Sequence, residues 1–296
     1  MKYLSVTETA KKWKISERSV RNYCALGKLD GAFLTGKTWN IPEDAQKPDR
    51  ANKKIELPTT LLEMLTAEKK AKLSGGIYHK VQIELTYNSN RIEGSRLTHD
   101  QTRYIFETNT IGIESGTLKV DDIVETTNHF KCIDLIIENA KKPIAENFIK
   151  ELHRTLKSGT TDARQDWFAV GDYKKLPNTV GDMYTTQPEE VAEKMKELLF
   201  AYNANKEKTF DDLLDFHYKF ECIHPFQDGN GRIGRLLLLK ECLKHNIVPF
   251  IIDEELKLFY YRGLKVWQSE RGYLRDTCLM AQDKFKQYLD YFKVQY

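Results

Sequence analysis

The sequence predicts a mainly α-helical protein, in which a helical bundle with one short β-hairpin follows a small winged helix-turn-helix domain. Apolar residues recur at the 3.6-residue period of an α-helix along most of residues 61–296. The segment 171–181 loses this period and contains proline, asparagine and glycine, which favours a hairpin. Residues 1–48 hold two short capped helix patterns and a second hairpin pattern. Residues 49–60, a polar stretch with Pro48 before it and Pro58 near its end, are a predicted linker.

The composition is typical of a folded globular chain. Of the 296 residues, 41% are hydrophobic and 30% are charged, and the mean hydropathy is −0.57, which argues against disorder, collagen-like repeats and a membrane-spanning architecture. The N-terminus lacks the apolar stretch of a secretory signal, so we expect a cytoplasmic protein with no membrane partner. The five cysteines are scattered and include no C-x-x-C pair, which predicts reduced, packed thiols.

Two helices and a hairpin account for residues 1–48. Ser5 and Glu8 have the spacing of a capping box, which predicts a helix over 7–14. A second helix, over 16–23, starts immediately afterwards and precedes a hairpin over 33–41. We expect the core of this domain to be formed by the apolar residues Ala10, Trp13, Val20, Tyr23, Leu26, Leu29 and Trp39.

The basic excess of the chain lies in this N-terminal domain. Residues 1–50 contain ten Lys or Arg and six Asp or Glu, a net charge of +4, whereas the whole chain carries +3 and the remainder therefore −1. The domain resembles the small excisionase and MerR-like DNA-binding modules, which implies that double-stranded DNA binds through residues 1–48 with 16–23 as the recognition helix. The implied DNA contacts are Arg18, Ser19, Arg21, Asn22 and, in the wing, Lys37. Small winged modules also bind proteins, and +4 is a modest charge, so a protein partner stays open.

The remainder of the chain is dominated by helical patterns, with no internal repeat. The predicted helices cover residues 61–73, 78–91, 98–108, 120–139, 144–156, 188–205, 210–222, 231–245, 254–269 and 273–292.

The segment His-Pro-Phe-Gln-Asp-Gly-Asn-Gly-Arg-Ile-Gly-Arg, residues 224–235, combines the parts of a phosphate-handling site. Its paired glycines allow a tight turn with amide hydrogens facing a concavity at a helix start, which attracts anions. Arg232 and Arg235 are three residues apart, so both guanidinium groups can reach one polyphosphate. Asp228 offers the hard oxygen that Mg²⁺ prefers, and His224 is a base with an ordinary pKa near neutrality. These parts indicate phosphoryl or nucleotidyl transfer to a hydroxyl group.

This segment matches the Fic family motif H-x-F-x-[DE]-G-N-G-R-x-x-R, and the chain resembles that family over about residues 55–292. The resemblance implies a Fic-type helical bundle that transfers AMP from ATP to a Ser, Thr or Tyr hydroxyl of a target protein and releases pyrophosphate. His224 would be the general base, Asp228 the Mg²⁺ ligand, and Arg232 and Arg235 the ligands of the β and γ phosphates. Phe226 would pack in the core beneath the loop. The implied anion hole is formed by Gly229, Asn230 and Gly231.

Two further segments match the family more loosely. The hairpin over 171–181 would be the flap, whose edge pairs with an extended segment of the target. Its residues expected beside the nucleotide are Thr179, Val180 and Gly181. Tyr260 and Tyr261 fit the aromatic pair of an adenine pocket, and Gln268 stands where many relatives have asparagine. Ordinary helix packing is the alternative for these segments.

An inhibitory element precedes the site. Ser89-Asn90-Arg91-Ile92-Glu93-Gly94 matches the family's motif [ST]-x-x-x-E-[GN] at the end of a helix of about residues 78–94, which Gly94 can terminate. The resemblance implies that Glu93 forms a bidentate pair with Arg235 and occupies the guanidinium meant for the γ phosphate. A surface carboxylate near a helix end is the alternative.

The leading hypothesis is therefore an autoinhibited, Mg²⁺-dependent protein adenylyltransferase that uses ATP, with residues 61–296 as its Fic domain. A DNA-binding transcription regulator whose Fic core senses nucleotide is one alternative, and transfer of phosphate or phosphocholine is another. The sequence leaves open self-modification, removal of AMP and assembly as a homo-oligomer.

Overall fold

The computed structural model describes residues 2–48, 58–112, 117–181 and 183–296. The chain divides into two compact units, Met1–Leu57 and Pro58–Tyr296. Most of the linker predicted over 49–60 lies outside the described residues. Thr60 already caps the first helix of the second unit.

The first unit combines two helices with a three-stranded antiparallel sheet of strand order β1-β3-β2. Its elements are β1 (Tyr3–Leu4), α1 (Val6–Trp13), α2 (Glu17–Ala25), β2 (Phe33–Thr35) and β3 (Thr38–Pro42). The Ser5 side chain accepts from the Glu8 amide and the Glu8 carboxylate accepts from the Ser5 amide, so the predicted capping box is present.

The core of the first unit lies between the two helices and β3. Its buried members are Val6, Ala10, Val20, Cys24, Leu29 and Ile41. Trp13, Tyr23 and Trp39 pack against this cluster but stay partly exposed. The core assignment of Leu26 was wrong, because α2 ends at Ala25 and Leu26, leaving the helical period, is 68% exposed.

The second unit is helical apart from one hairpin, so the predicted fold class is confirmed. Its helices are α3 (Leu61–Ala71), α4 (Ile77–Ile92), α5 (His99–Thr108), α6 (Val120–Asn139), α7 (Glu146–Lys157), α8 (Pro188–Ala204), α9 (Phe210–Ile223), α10 (Asn230–His245), α11 (Lys257–Val266) and α12 (Gly272–Phe292). Two-residue strands β4 (Thr179–Val180) and β5 (Met183–Tyr184) form the hairpin between α7 and α8. None of the helices in the described ranges has the length and apolar character needed to span a bilayer.

Helix α10 is the central element of this unit. It is buried along nearly its whole length and packs against α3, α4, α6, α7 and α9. Ile233, Leu236 and Leu237 are fully buried in the main core cluster. Burying about three such side chains contributes several kcal/mol, so the start of α10 is held rigidly in place.

Two elements differ from their predicted positions. The hairpin lies later than the 171–181 segment: Thr179 pairs with Tyr184, and residues 171–178 form bends and irregular chain instead. Helix α11 begins at Lys257 rather than at residue 254, because the Asp253 carboxylate accepts from the Leu256 amide and closes a turn before the helix. The cysteines are free, and all except Cys222 are buried, as predicted.

Candidate active site

The loop between α9 and α10 is held in shape by its own residues. His224 ends α9 in the left-handed conformation (φ 51°), and its amide donates to the Phe220 carbonyl at 2.9 Å. Gly229 precedes α10 with φ 81°, a conformation that favours glycine. Asn230 Nδ2 donates to the Phe226 carbonyl at 2.7 Å, and its Oδ1 accepts from the Phe226 amide at 2.8 Å. The Asn230 side chain, expected in the anion hole, therefore closes the loop, and only its backbone remains for a ligand.

Phe226 lies beneath this loop, buried as predicted, and stacks on His153 of α7. The ring centroids are 4.0 Å apart and the ring planes differ by 4°. His153 Nδ1 accepts from the Gly171 amide at 2.9 Å, so Nε2 carries the proton and donates to the Asp228 carbonyl at 3.2 Å. Burial lowers the pKa of His153 to about 3. Sequence reasoning missed this neutral, buried support of the loop.

Asp228 belongs to a network of charges around two buried cations. Its Oδ2 accepts from Lys157 Nζ at 2.7 Å and from Arg232 at 3.1 Å. Glu125 on α6 also contacts both cations, and Asp162 contacts Lys157 at 3.1 Å. Although burial opposes it, the two cations hold the pKa of Asp228 well below its ordinary value.

The two arginines of the motif have different carboxylate partners. Arg232 is engaged by Glu125 and Asp228, whereas Arg235 contacts Glu93 at the end of α4. Convergence of both guanidinium groups on one polyphosphate stays a prediction.

Arg235 is held by the C-terminal end of α4. It donates from NH2 to Glu93 Oε1 at 2.6 Å, from Nε to Ser89 Oγ at 3.0 Å and from NH2 to the Ser89 carbonyl at 3.0 Å. Glu93 is the C-cap of α4, and Gly94 follows with φ 93°. The expected pair is present, but one carboxylate oxygen makes it, so it is not bidentate.

The Glu93 carboxylate also lies against the first turn of α10. A Cβ atom placed on Gly231 would collide with Glu93 Oε1 and would come within 3.0 Å of Arg235 NH1. The amides at the start of a helix attract anions. Glu93 therefore places a carboxylate against this anion-attracting helix start.

A cavity of about 540 Å³ opens beside these residues, within the size range of small-molecule sites. Of the predicted site residues, those that line it are Glu93, Val180, Gly181, His224, Gly231, Arg235, Tyr260 and Tyr261. The other lining residues are Tyr184, Thr185, Tyr218, Glu221, Cys222, Leu264 and Lys265. Thr179 and Gln268 are exposed and do not line the cavity. The cavity lining also excludes Asp228, Gly229, Asn230 and Arg232.

The two tyrosines of α11 differ in environment. Tyr260 is 1% exposed, and its hydroxyl forms a 2.5 Å hydrogen bond with His217 Nε2. Tyr261 is 38% exposed. Tyr260 is thus mainly a packing residue, and Tyr261 is the ring available to a ligand.

The surroundings of His224 favour its neutral form on balance. Burial lowers its pKa to about 4, and the charge of Lys174 lowers it further. Glu221 Oε2 lies 3.7 Å from His224 Nδ1, and burial raises the pKa of Glu221 to about 8, so this carboxyl is mostly protonated at neutral pH. The ordinary pKa expected for His224 from sequence is therefore too high. A neutral imidazole at a cavity wall is suited to accept a proton.

Sequence reasoning missed the residues that support the motif from elsewhere in the chain: Glu125, His153, Lys157, Lys174 and Glu221. Of these five residues, Glu221 alone could have been linked to the motif from the sequence, since it lies one helical turn before His224 on α9. The others approach the loop from α6, α7 and the segment before the hairpin, and no local pattern links them to it.

Comparison with curated proteins points to one family. Residues 143–242 match the model described as the Fic/DOC family. The chain is 27% identical over 184 residues to Protein adenylyltransferase fic-1 of Caenorhabditis elegans, which covers 61% of this chain and 35% of that protein. It is 26% identical over 262 residues to Protein adenylyltransferase Fic of Nematostella vectensis, which covers 83% and 56%. The chain thus spans roughly one third to one half of the length of these relatives.

Solved structures share the fold. A Fic domain containing signaling protein from Bacteroides thetaiotaomicron is 28% identical, with a TM-score of 0.58 over 78% of this chain and 90% of that one. Fic-1 from Caenorhabditis elegans, 21% identical, has a TM-score of 0.60 over 77% of this chain and 71% of that one. The match to the family model includes His224, the loop and most of α10. Residues 143–242 of this chain therefore resemble a Fic/DOC-family domain in sequence and in fold.

Proposed function

We propose that this chain is an autoinhibited protein adenylyltransferase. It transfers AMP from ATP to a Ser, Thr or Tyr hydroxyl of a target protein and releases pyrophosphate. The observation that carries the proposal is the position of neutral His224 in the same cavity as the anion-attracting start of α10. The names of the curated relatives support the same reaction.

Each residue of the site has a separate role in the proposed reaction. His224 accepts the proton of the target hydroxyl as its oxygen bonds to the α phosphorus, and the bond from this phosphorus to the pyrophosphate oxygen breaks. The amides at the start of α10 hold the phosphates, and Arg235 takes the γ phosphate. Tyr261 offers its ring to the adenine base. The hairpin β4-β5 presents the target segment.

Asp228 is suited to hold Mg²⁺ together with the substrate. Its side chain is 47% exposed, and its lowered pKa keeps it ionised. In the part of the chain that the structure describes, no group of three or more His, Cys, Asp or Glu is arranged as a metal site. Mg²⁺ commonly binds through one carboxylate and substrate phosphates, which fits a lone Asp228. The ion would neutralise phosphate charge.

Inhibition follows from the position of Glu93. Its carboxylate holds Arg235 at 2.6 Å and covers Gly231, so an ATP molecule that enters lacks its γ-phosphate ligands. Without those ligands the α phosphorus is not aligned with the incoming hydroxyl. AMP transfer is slow until Glu93 moves away or is removed.

Labelled nucleotides test the transferred group. The protein is incubated with Mg²⁺ and a cell lysate, using either α-labelled or γ-labelled ATP. Protein label from α-labelled ATP alone is expected, and intact-mass measurement of the enzyme reports self-modification. Label from γ-labelled ATP alone would mean phosphate transfer and would refute the proposal. No label with Glu93→Gly, which is expected to be the more active variant, would also refute it.

A second proposal concerns the first unit, which we infer binds double-stranded DNA. Arg18, Arg21 and Asn22 are exposed on α2, and Lys37 is exposed at the turn between β2 and β3. Ser19 is half-buried and bonds to Ser16 Oγ at 2.9 Å, so it contributes least.

Salt-dependent duplex binding tests this second proposal. Arg18→Ala combined with Arg21→Ala should weaken binding and reduce its salt dependence, because phosphate contacts release counterions. Lys47→Ala, which removes an exposed charge outside α2 and the hairpin, is the control. Equal effects of the two changes, or no duplex binding by the full chain, would favour a protein partner.

A further inference from the structure

Lys174 carries a buried ammonium group that the proposed nucleotide site and the inhibitory element leave unused. The residue is 3% exposed. Within residues 2–48, 58–112, 117–181 and 183–296, no carboxylate forms an ion pair with it. A buried charge without an ion-pair partner is costly unless hydrogen bonds satisfy it. Its hydrogen bonds therefore indicate what the charge does.

The side-chain ammonium group and the backbone amide of Lys174 form hydrogen bonds to the chain on either side of His224. Its Nζ donates to the carbonyl of Ile223 at 3.4 Å. Its backbone amide donates to the carbonyl of Pro225 at 2.8 Å. The residues immediately before and after His224 are thus both attached to Lys174.

The same ammonium group closes the base of the hairpin β4-β5. Nζ donates to Asn178 Oδ1 and to Thr185 Oγ1, each at 2.7 Å, and these residues flank the two strands. Thr185 Oγ1 in turn donates to the Asn178 carbonyl at 2.9 Å. Asn178 Nδ2 donates to the Phe226 carbonyl at 3.0 Å. One connected set of hydrogen bonds therefore joins the hairpin to the loop that carries His224.

We propose that Lys174 is a positioning residue that fastens the β4-β5 hairpin to the 223–226 segment and keeps a positive charge beside that segment. The hairpin and the base then move as one body, so a target segment held by the hairpin is placed at a fixed distance from the imidazole. A placement error of even 1 Å can slow a transfer reaction about a hundredfold.

The charge of Lys174 also affects the pKa of His224, and the groups around the imidazole give the direction of this effect. Lys174 opposes the imidazolium, whereas a hydrogen bond to the Glu221 backbone and the charges of Glu93 and Asp228 favour it. Burial lowers the pKa of Lys174 to about 8, so it remains a cation at neutral pH. Removing its charge leaves burial opposed by that hydrogen bond and the two carboxylates, so the pKa of His224 should rise toward its ordinary value.

Two measurements that need no catalysis test the inference. Lys174→Met keeps the length of the side chain but removes its charge and its donors. We expect at least tenfold faster amide hydrogen exchange in residues 178–185. We also expect the pKa of His224 to rise by about one unit. This pKa is measured from the exchange rate of the imidazole C2 hydrogen between pH 4 and 7. The control is Lys175→Met, an identical change at the exposed neighbouring residue, which should alter neither quantity.

A third readout rests on the proposed function. In the Glu93→Gly background, Lys174→Met should raise KM for the protein target with little change in ATP affinity. Because the exchange and titration experiments are independent of transfer, they remain decisive even if the proposed reaction is wrong.

Two outcomes would overturn the inference: equal hairpin exchange in the Lys174→Met and Lys175→Met proteins, or an unchanged His224 titration in Lys174→Met. If Lys174→Met fails to fold, Thr185→Val removes one acceptor and keeps the ammonium group. This variant should speed hairpin exchange without moving the His224 titration. Unchanged hairpin exchange in Thr185→Val would then refute the fastening role.

Discussion

Replacement of Glu93 by glycine should accelerate AMP transfer, because it releases Arg235 and uncovers the first turn of α10. Arg235 is 6% exposed and Glu93 28% exposed, so their 2.6 Å contact is only partly screened by water. A charge-assisted hydrogen bond of this kind contributes about 1.5–3 kcal/mol. If Arg235, once released, stabilises the γ phosphate in the transition state by the same free energy, the rate of AMP transfer rises by about 10-fold to 150-fold, at 1.36 kcal/mol per factor of ten.

The assay is label transfer from α-labelled ATP to a fixed protein target, or to the enzyme itself, at saturating Mg²⁺. Glu254→Gly is the matched control, because this carboxylate also contacts the end of α4, through Arg91 at 3.2 Å, but is exposed. Glu93→Gln should give partial activation, since the amide keeps the shape and one acceptor. Arg235→Ala should not activate, because it removes the phosphate ligand together with the inhibition. Equal rates for Glu93→Gly and the parent, or activation by Arg235→Ala, would refute the inhibitory pair.

Three other predictions address the base, the metal and acid stability. His224→Ala should abolish transfer yet leave ATP binding nearly unchanged, as measured by calorimetry, because the imidazole contacts only the incoming hydroxyl; undiminished turnover would exclude it as the base. Asp228→Ala should remove both activity and the effect of Mg²⁺ on ATP affinity; a retained Mg²⁺ effect would assign the metal elsewhere. Burial holds the pKa of His224 at about 4, and it holds the pKa of three other histidines, His129, His153 and His217, at about 3. Burial also raises the pKa of Glu221 to about 8. The unfolded chain thus binds about one more proton net at pH 6.5 and about three more at pH 4.5. The free energy of unfolding should therefore fall on acidification, by about 1 kcal/mol per pH unit near pH 6.5 and up to about 4 kcal/mol per pH unit near pH 4.5; a flat profile in urea titrations would contradict this.

The parts of the site that are contiguous in sequence could be predicted, and the parts that tertiary packing brings together could not. The loop 224–235 and the end of α4 each carry their pattern within a dozen residues. Asp228, by contrast, acquires its cations from Lys157 on α7 and from Arg232, and Glu125 on α6 couples the two. No local periodicity reports the contact of Lys157 with Asp228 or that of Glu125 with Arg232, which join residues 71 and 107 positions apart.

The helices were predicted well for the same reason. Amphipathic period and capping residues are local, so α1 and α3–α10 begin and end within about two residues of the expected positions. The hairpin was displaced because two-residue strands carry almost no periodic signal. The lowered pKa of His224 could not be predicted, since burial and the approach of Lys174 are properties of the fold.

The ring of hydrogen bonds between Asn230 and Phe226 has a consequence for the cost of ligand binding. A flexible glycine-rich loop loses conformational entropy when a phosphate orders it, at about 1–2 kcal/mol per residue fixed. Here the Asn230 side chain and the stack of Phe226 on His153 have already ordered the loop during folding. The nucleotide then spends little of its interaction energy on the loop and meets a preformed surface. Replacement of Asn230 by alanine should therefore weaken nucleotide binding mainly through a more unfavourable binding entropy, although its side chain bonds only to Phe226 in this structure.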